Sequence, residues 1–347
     1  MKSQHKTIAA LIVAAVAAAA LTACGGGGGG GASAPATSPE VITAPVIAST
    51  NTALVTTVPA AAYPAASEEL VAFNLLNAER GRCGFGLLAQ STQLDSAARS
   101  HNDYQIINNT ASHNQNQTQF PTGFTGGQAR DRAETAGYTD AGEVGDEFIF
   151  QPGTTVKTGI GERGMRGLLG APYHLAGLMT GHRDVGISAR SSAETTPAGV
   201  NNRVILHVNT GYKSVAEKQL IPFGALQTYP CQDSVEVNRE LRNETPNPVP
   251  GRDLSVNPVG TPIYLATRFG DVLTIASAAI KSTASNTSVV LRTPVTSTTD
   301  AAALYRGHEA YFSPDAPLSP ATSYTVTVTG TAGGVSFNRT FKFTTGA

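Results

Sequence analysis

Ser67-Glu68-Glu69-Leu70-Val71-Ala72-Phe73-Asn74-Leu75-Leu76-Asn77-Ala78-Glu79-Arg80 decides the fold of the first half of the chain. A serine followed by two acids is an N-cap with an acidic first turn, matched to the free N–H groups and positive end of a helix. Leu70, Val71, Leu75 and Ala78 recur at the helical period, so the spacing predicts a helix to about Arg80. Gly81, Gly84 and Gly86 end it. Outward from there, Leu94, Ala97, Ala98, His101 and Tyr104 form a second stripe reaching Ile107. His101 falls on its apolar face and reads as a satisfied core or boundary histidine. Residues 108–127 are rich in Asn, Gln, Thr and Gly without periodicity, so they form a surface loop, and His113 lies inside it.

Further helices are predicted over 131–136, 161–169 and, from Pro172 at a first helical position, 172–179. Strands follow at 184–188 and 203–208, where Val204, Leu206 and Val208 alternate with Ile205 and His207. Helices first and strands later make an α+β pattern. Glu244 to Asp253 carries Pro246, Pro248 and Pro250 and reads as an interdomain joint. Beyond it the chain is β-rich at 272–275, 288–291, 324–329 and 335–343, predicting a small β-sandwich. The expected domains are residues 66–243, a linker at 244–253, and 254–347.

With 347 residues, 41% hydrophobic and 14% charged, the chain is long enough for two such cores. Its formal charge of -1 supplies no basic field, which excludes nucleic acid as an electrostatic partner. The N-terminus carries Lys2 and Lys6, an apolar run from Ile8 to Leu21, and then Leu21-Thr22-Ala23-Cys24, the layout of an export signal. Those last four residues resemble a bacterial lipobox, which implies removal of residues 1–23, lipidation of Cys24, and a membrane partner through that lipid. Gly25 to Gly31 and the Ala, Ser, Thr and Pro that follow predict a tether over 24–65. Gly25, rather than Asp, after the anchor resembles lipoproteins sorted to an outer membrane. Lipidation of Cys24 leaves Cys83 and Cys231 as an even pair in an oxidising compartment, so one disulfide is expected.

His113, Glu143 and His174 are the chemically suggestive groups. Two imidazoles and a carboxylate suit a divalent metal such as Zn²⁺, or an acid and a base. Glu134 and Glu147, nearby alternatives to Glu143, read as solvated carboxylates, and His182 and His308 as surface or turn residues. No Gly-x-Ser-x-Gly elbow and no His-Glu-x-x-His helix occurs.

The ordered series Phe73-Asn74-Leu75-Leu76-Asn77-Ala78-Glu79-Arg80, Leu94 through His101, Ser112-His113, Ala136-Gly137-Tyr138 with Gly142-Glu143, and Ala171-Pro172-Tyr173-His174 resembles successive signatures of the CAP superfamily of cysteine-rich secretory, antigen 5 and pathogenesis-related proteins. The resemblance covers about Ala66 to Cys231 and implies a three-layer α-β-α sandwich with a shallow cleft. Carried over, the cleft groups fall on His113, Glu143 and His174, with His207 a weaker fourth. The chain departs from the family pattern at Val144, where Asn is frequent, and has no Trp. The tail from Pro317 to Thr345 resembles the end of a bacterial Ig-like domain.

The reading this favours is a non-catalytic, envelope-anchored module that binds a lipid, cell-wall or protein ligand. The alternatives are a metal-assisted or acid/base hydrolase of peptide or cell-wall bonds, and a structural adhesion protein.

Overall fold

The computed structural model describes residues 52–197 and 199–347. The expected signal peptide at 1–23, the lipidated Cys24 and the tether to residue 51 lie outside the described residues. By contacts the chain divides into Met1–Ile47 and Ala48–Ala347, and every described residue belongs to the second unit.

Helix α1 spans Glu68–Cys83: the Ser67 hydroxyl accepts from the Leu70 amide at 3.2 Å, and Gly84 at φ 78° closes the far end onto the carbonyls of Arg80 and Gly81. Then come β1 (Ala89–Gln90), α2 (Thr92–Ile107), α3 (Ala129–Thr135), β2 (Glu143–Pro152), α4 (Ile160–Leu169), α5 (Pro172–Leu178), β3 (Asp184–Ser191) and β4 (Arg203–Tyr212). The four strands form one sheet in the order β1-β3-β4-β2. Val185, Ile187, Ala189, Val204, Leu206 and Val208 point into the core shared with α1, α4 and α5. The opposite face meets α2: Asn102 Nδ2 donates to the Ser188 carbonyl, and Gly186 lies so close to the Leu94–Asp95 backbone that a Cβ there would sit 2.1 Å from it. Helices therefore cover both faces of a mixed α+β fold.

The remaining strands are β5 (Gln227–Tyr229), β6 (Ser234–Val237), β7 (Glu240–Leu241), β8 (Val259–Gly260), β9 (Ile263–Ala266), β10 (Leu273–Ser282), β11 (Val295–Thr296), β12 (Glu309–Phe312), β13 (Ser323–Ala332) and β14 (Val335–Thr345). Two sheets, β10-β13-β14-β6 and β11-β12-β9-β5, enclose a core of Val326, Val328, Phe341 and Phe343 against Ile263, Leu265, Ala310 and Phe312. The expected strand at 288–291 is reduced to isolated bridges at Ser288 and Leu291.

A boundary at residue 243 does not separate the halves. β5 and β6 precede it, yet they pair with β9 and β14. Strand β9 is buried on both faces: Ile263 and Leu265 enter the β core, while Tyr264 and Ala266 enter the core of the first half together with Tyr305 and Tyr311. In the Pro-rich joint Glu244 and Val249 are buried, the latter with Ala171 and Leu241. Residues 52–65, assigned to the tether, also lie on the fold: the Leu87 amide donates to Val55, Leu220 to Thr52, and the Tyr63 hydroxyl to Asp95 at 2.5 Å. Cys83 and Cys231 form the expected disulfide, with Cα atoms 5.5 Å apart. Among the described residues no helix is long and apolar enough to cross a membrane.

Candidate functional site

Strand β2 is the sheet edge beyond β4, so side chains from both of its faces reach the rim. Alternation divides them. Val144 packs with Leu94, Ala97, Ala133 and Tyr138, and Asp146 meets Arg132 of α3. On the other face Glu147 lies against Gly177 of α5, and Ile149 against Gly164 and Gly167 of α4.

Asp146 is the electrostatic centre of the first face. Its Oδ2 accepts from His113 Nδ1 at 2.9 Å, and its Oδ1 accepts from His207 Nε2 at 2.5 Å and from Arg132 Nη2 at 2.9 Å. Burial alone would push this carboxyl up, but His207, His113 and Arg132 together hold it well below the usual range. His101 steadies the loop that brings His113 in. Its Nε2 meets the Ser112 carbonyl at 2.8 Å and its Nδ1 the Gln115 amide at 3.0 Å. Burial lowers its pKa to about 3, as befits a neutral core histidine. His207 is fully buried behind Asp146, so it orients that carboxylate and is not part of the cavity wall.

His174 approaches from the other face. Its Nδ1 is 3.0 Å from Glu244 Oε1, which also accepts from the amides of Tyr173 and His174 at 2.8 and 3.1 Å. A carboxylate from the Pro-rich joint thus caps α5, with the charge sign that a helix N-terminus favours. His174 Nε2 is 4.0 Å from Glu147 Oε2, and the rings of His113 and His174 are 6.2 Å apart. Glu147 is largely withdrawn from solvent, its side chain 14% exposed at the cavity wall. Burial first, then the charges of Asp146 and Glu244, push its carboxyl well above the usual range.

Glu143 is turned toward a different set of partners. Its Oε2 accepts from Tyr212 Oη at 2.9 Å and from Lys218 Nζ at 3.3 Å, and its Oε1 accepts from Arg306 Nη2 at 3.1 Å. His182 Nε2 stands 3.8 Å away. The His182 imidazole, with Lys218 and Tyr212, holds the Glu143 carboxyl far below its ordinary value against the effect of burial. His182, expected at the surface, is only 2% exposed, with Nδ1 bonded to Thr210 Oγ1 at 2.6 Å. His308 stacks edge-on against Phe269 at 5.1 Å, and burial lowers its pKa to about 4.

His113, Glu143, Glu147, His174, His182 and Lys218 all border one cavity of about 410 Å³, whereas Asp146, His207 and Glu244 stand behind its wall. One side is β2 with α5; the other is built by Tyr264, Phe269 and residues 304–309 from the C-terminal half. The structure thus brings His113, Glu143 and His174 to one cavity, but splits them: the imidazoles face Asp146 and Glu147, and Glu143 is paired with cations. Among the described residues no group of three or more His, Cys, Asp or Glu side chains converges in a geometry that holds a metal ion. A carboxylate engages the Nδ1 of each imidazole, Asp146 that of His113 and Glu244 that of His174. Sequence reasoning missed Asp146, Lys218, Glu244 and Arg306. Three acids running into Phe148-Ile149-Phe150 was a usable signal for the first; the others have no local one.

No family model and no curated protein matches the chain. Among solved structures it is similar to an outer surface protein from Borrelia burgdorferi, at 14% identity and a TM-score of 0.33 over 44% of this chain and 97% of that one.

Proposed function

We propose that this chain is an envelope-anchored, CAP-like binding protein whose cavity holds a small ligand. The ordered series of motifs from Phe73 to His174 and the helices on both faces of the sheet support a CAP-type sandwich, and the two facing β-sheets support an Ig-like second part. The Leu21-to-Cys24 segment supports export and lipidation, with an outer-membrane location following from Gly25. The observation that carries the functional reading is the cavity itself: about 410 Å³, within the size range of small-molecule sites, with apolar walls and a few convergent polar groups. Native mass spectrometry of the mature chain isolated from bacterial envelopes tests it. A co-purifying small molecule is expected, and it is lost in His113→Ala/His174→Ala. Absence of any bound mass under gentle conditions, together with no thermal shift from an envelope lipid or glycan extract, overturns the reading.

The carboxylate held on each Nδ1 favours a second reading, a metal-assisted or acid/base hydrolase. His113 and His174 would hold the ion, and Glu147, whose carboxyl burial pushes well above the usual range, would serve as the proton donor. A bound divalent ion such as Zn²⁺ supplies Lewis-acid polarisation of a carbonyl. Metal content measured after purification without chelator is expected to fall in the double histidine variant; unchanged content removes the metal-assisted form of this reading.

A further inference from the structure

We infer that the end of the cavity bounded by Lys218 and Arg306 receives the carboxylate of a small organic acid, a subsite that rests on the binding function proposed above. The two cations come from remote parts of the chain, Lys218 after β4 and Arg306 just before β12. Lys218 is almost wholly buried, and its Nζ lies 3.6 Å from the centre of the Phe269 ring and 5.6 Å from that of Tyr212. The ring faces steady the ammonium without using its N–H donors. Both cations converge on one resident carboxylate, that of Glu143, so the spacing of these groups already fits this anion.

Donors remain in excess. Among the described residues the side chains of Lys218 and Arg306 make no hydrogen bond except to Glu143, whereas an ammonium and a guanidinium each carry several donors. His182 Nε2, from a residue bordering the same cavity, is buried, stands 3.8 Å from Glu143 Oε2 and has no hydrogen-bond partner among the described residues. Of the other acids on the cavity wall, Glu309 is already engaged, accepting from Tyr264 Oη and from the Arg306 amide, both at 2.9 Å. Phe269 lies against both cations, and Met179 and Leu304 line the same cavity, which suits an apolar body behind an anionic head. A peptide C-terminus and an acyl chain both present that chemistry.

Calorimetry on the mature full-length chain separates the sources. The probes are an N-acetylated apolar tripeptide with a free C-terminal carboxylate, its C-terminal amide, decanoate, and decanamide. At least one acid is expected to bind about tenfold or more tighter than its own amide, as for a charge-assisted hydrogen bond, and the acid that does so identifies the source. Arg306→Gln, at a half-exposed position, is expected to abolish that preference with an unchanged melting temperature. Glu143→Gln, which removes the competing resident carboxylate, is expected to tighten acid binding. Equal affinity for acid and amide, or a preference that persists in Arg306→Gln, overturns the subsite and leaves the cavity reading standing. If no probe binds but the envelope extract does, the subsite alone falls; if neither binds, the cavity reading falls with it.

Discussion

Asp146 and Glu147 are neighbours on β2, yet one carboxyl is held well below the usual carboxylate range and the other pushed well above it. The pleat explains it. Asp146 turns toward two imidazoles and a guanidinium, Glu147 toward the helix α5, where Glu244 and Asp146 add only negative charge.

Their pH signatures have opposite signs. Asp146 has a depressed folded pKa, so its contribution is present above the unfolded value of about 4 and is lost as pH falls below it. Glu147 has a raised folded pKa, so its contribution is full below about 4 and declines as pH rises above that. Glu147→Gln is therefore expected to raise stability at pH 7 and leave it unchanged near pH 4. Urea unfolding at both values checks this, and a loss at pH 7 contradicts it.

Asp146→Asn leaves Arg132, whose side chain is fully buried, without its anion. The expected cost is about 3–5 kcal/mol, the usual penalty for breaking a buried pair from one side. The midpoint of a denaturant titration measures it.

Gly177 lies directly against Glu147: a Cβ there would sit 1.8 Å from Glu147 Oε1, so the carboxyl would have to leave its place. Replacing glycine within a helix by alanine ordinarily gains about 1 kcal/mol, but overpacking costs about 1–3 kcal/mol. Gly177→Ala is expected to destabilise, and Gly177→Ala/Glu147→Ala to be more stable than the sum of the single changes. Strict additivity in the double-mutant cycle removes the contact from the account.

Glu244→Ala strips the acceptor from two amides and an imidazole of α5. A loss of about 1–3 kcal/mol is expected, with most of it restored in Glu244→Gln, whose amide oxygen still accepts. Thermal melts of the two variants against the native chain decide the matter.

Opening the disulfide with Cys83→Ser/Cys231→Ser releases a sequence separation of 148 residues. The expected loss is about 5 kcal/mol by the chain-entropy model, read from denaturation of oxidised native protein beside the variant.

Local order was legible in the chain because its causes are local. Ser67 and its two acids, the left-handed Gly84, Pro172 at a first turn, and the alternation from Tyr324 to Thr329 each act within a few residues, and the elements at those places follow them. The pairing of Cys83 with Cys231 followed from counting thiols. What the tertiary structure alone decided depends on residues remote in sequence. Whether Glu147 is wet or dry depends on α5 lying over it; whether Glu143 serves the imidazoles depends on Lys218 and Arg306 arriving from remote segments. The division into domains was misleading for the same reason: prolines at 246, 248 and 250 mark where the backbone cannot be regular, not where burial ends. Tyr264, Tyr305 and Tyr311 carry the core across that joint, because a strand such as Ile263–Ala266, apolar on both faces, must be covered on both.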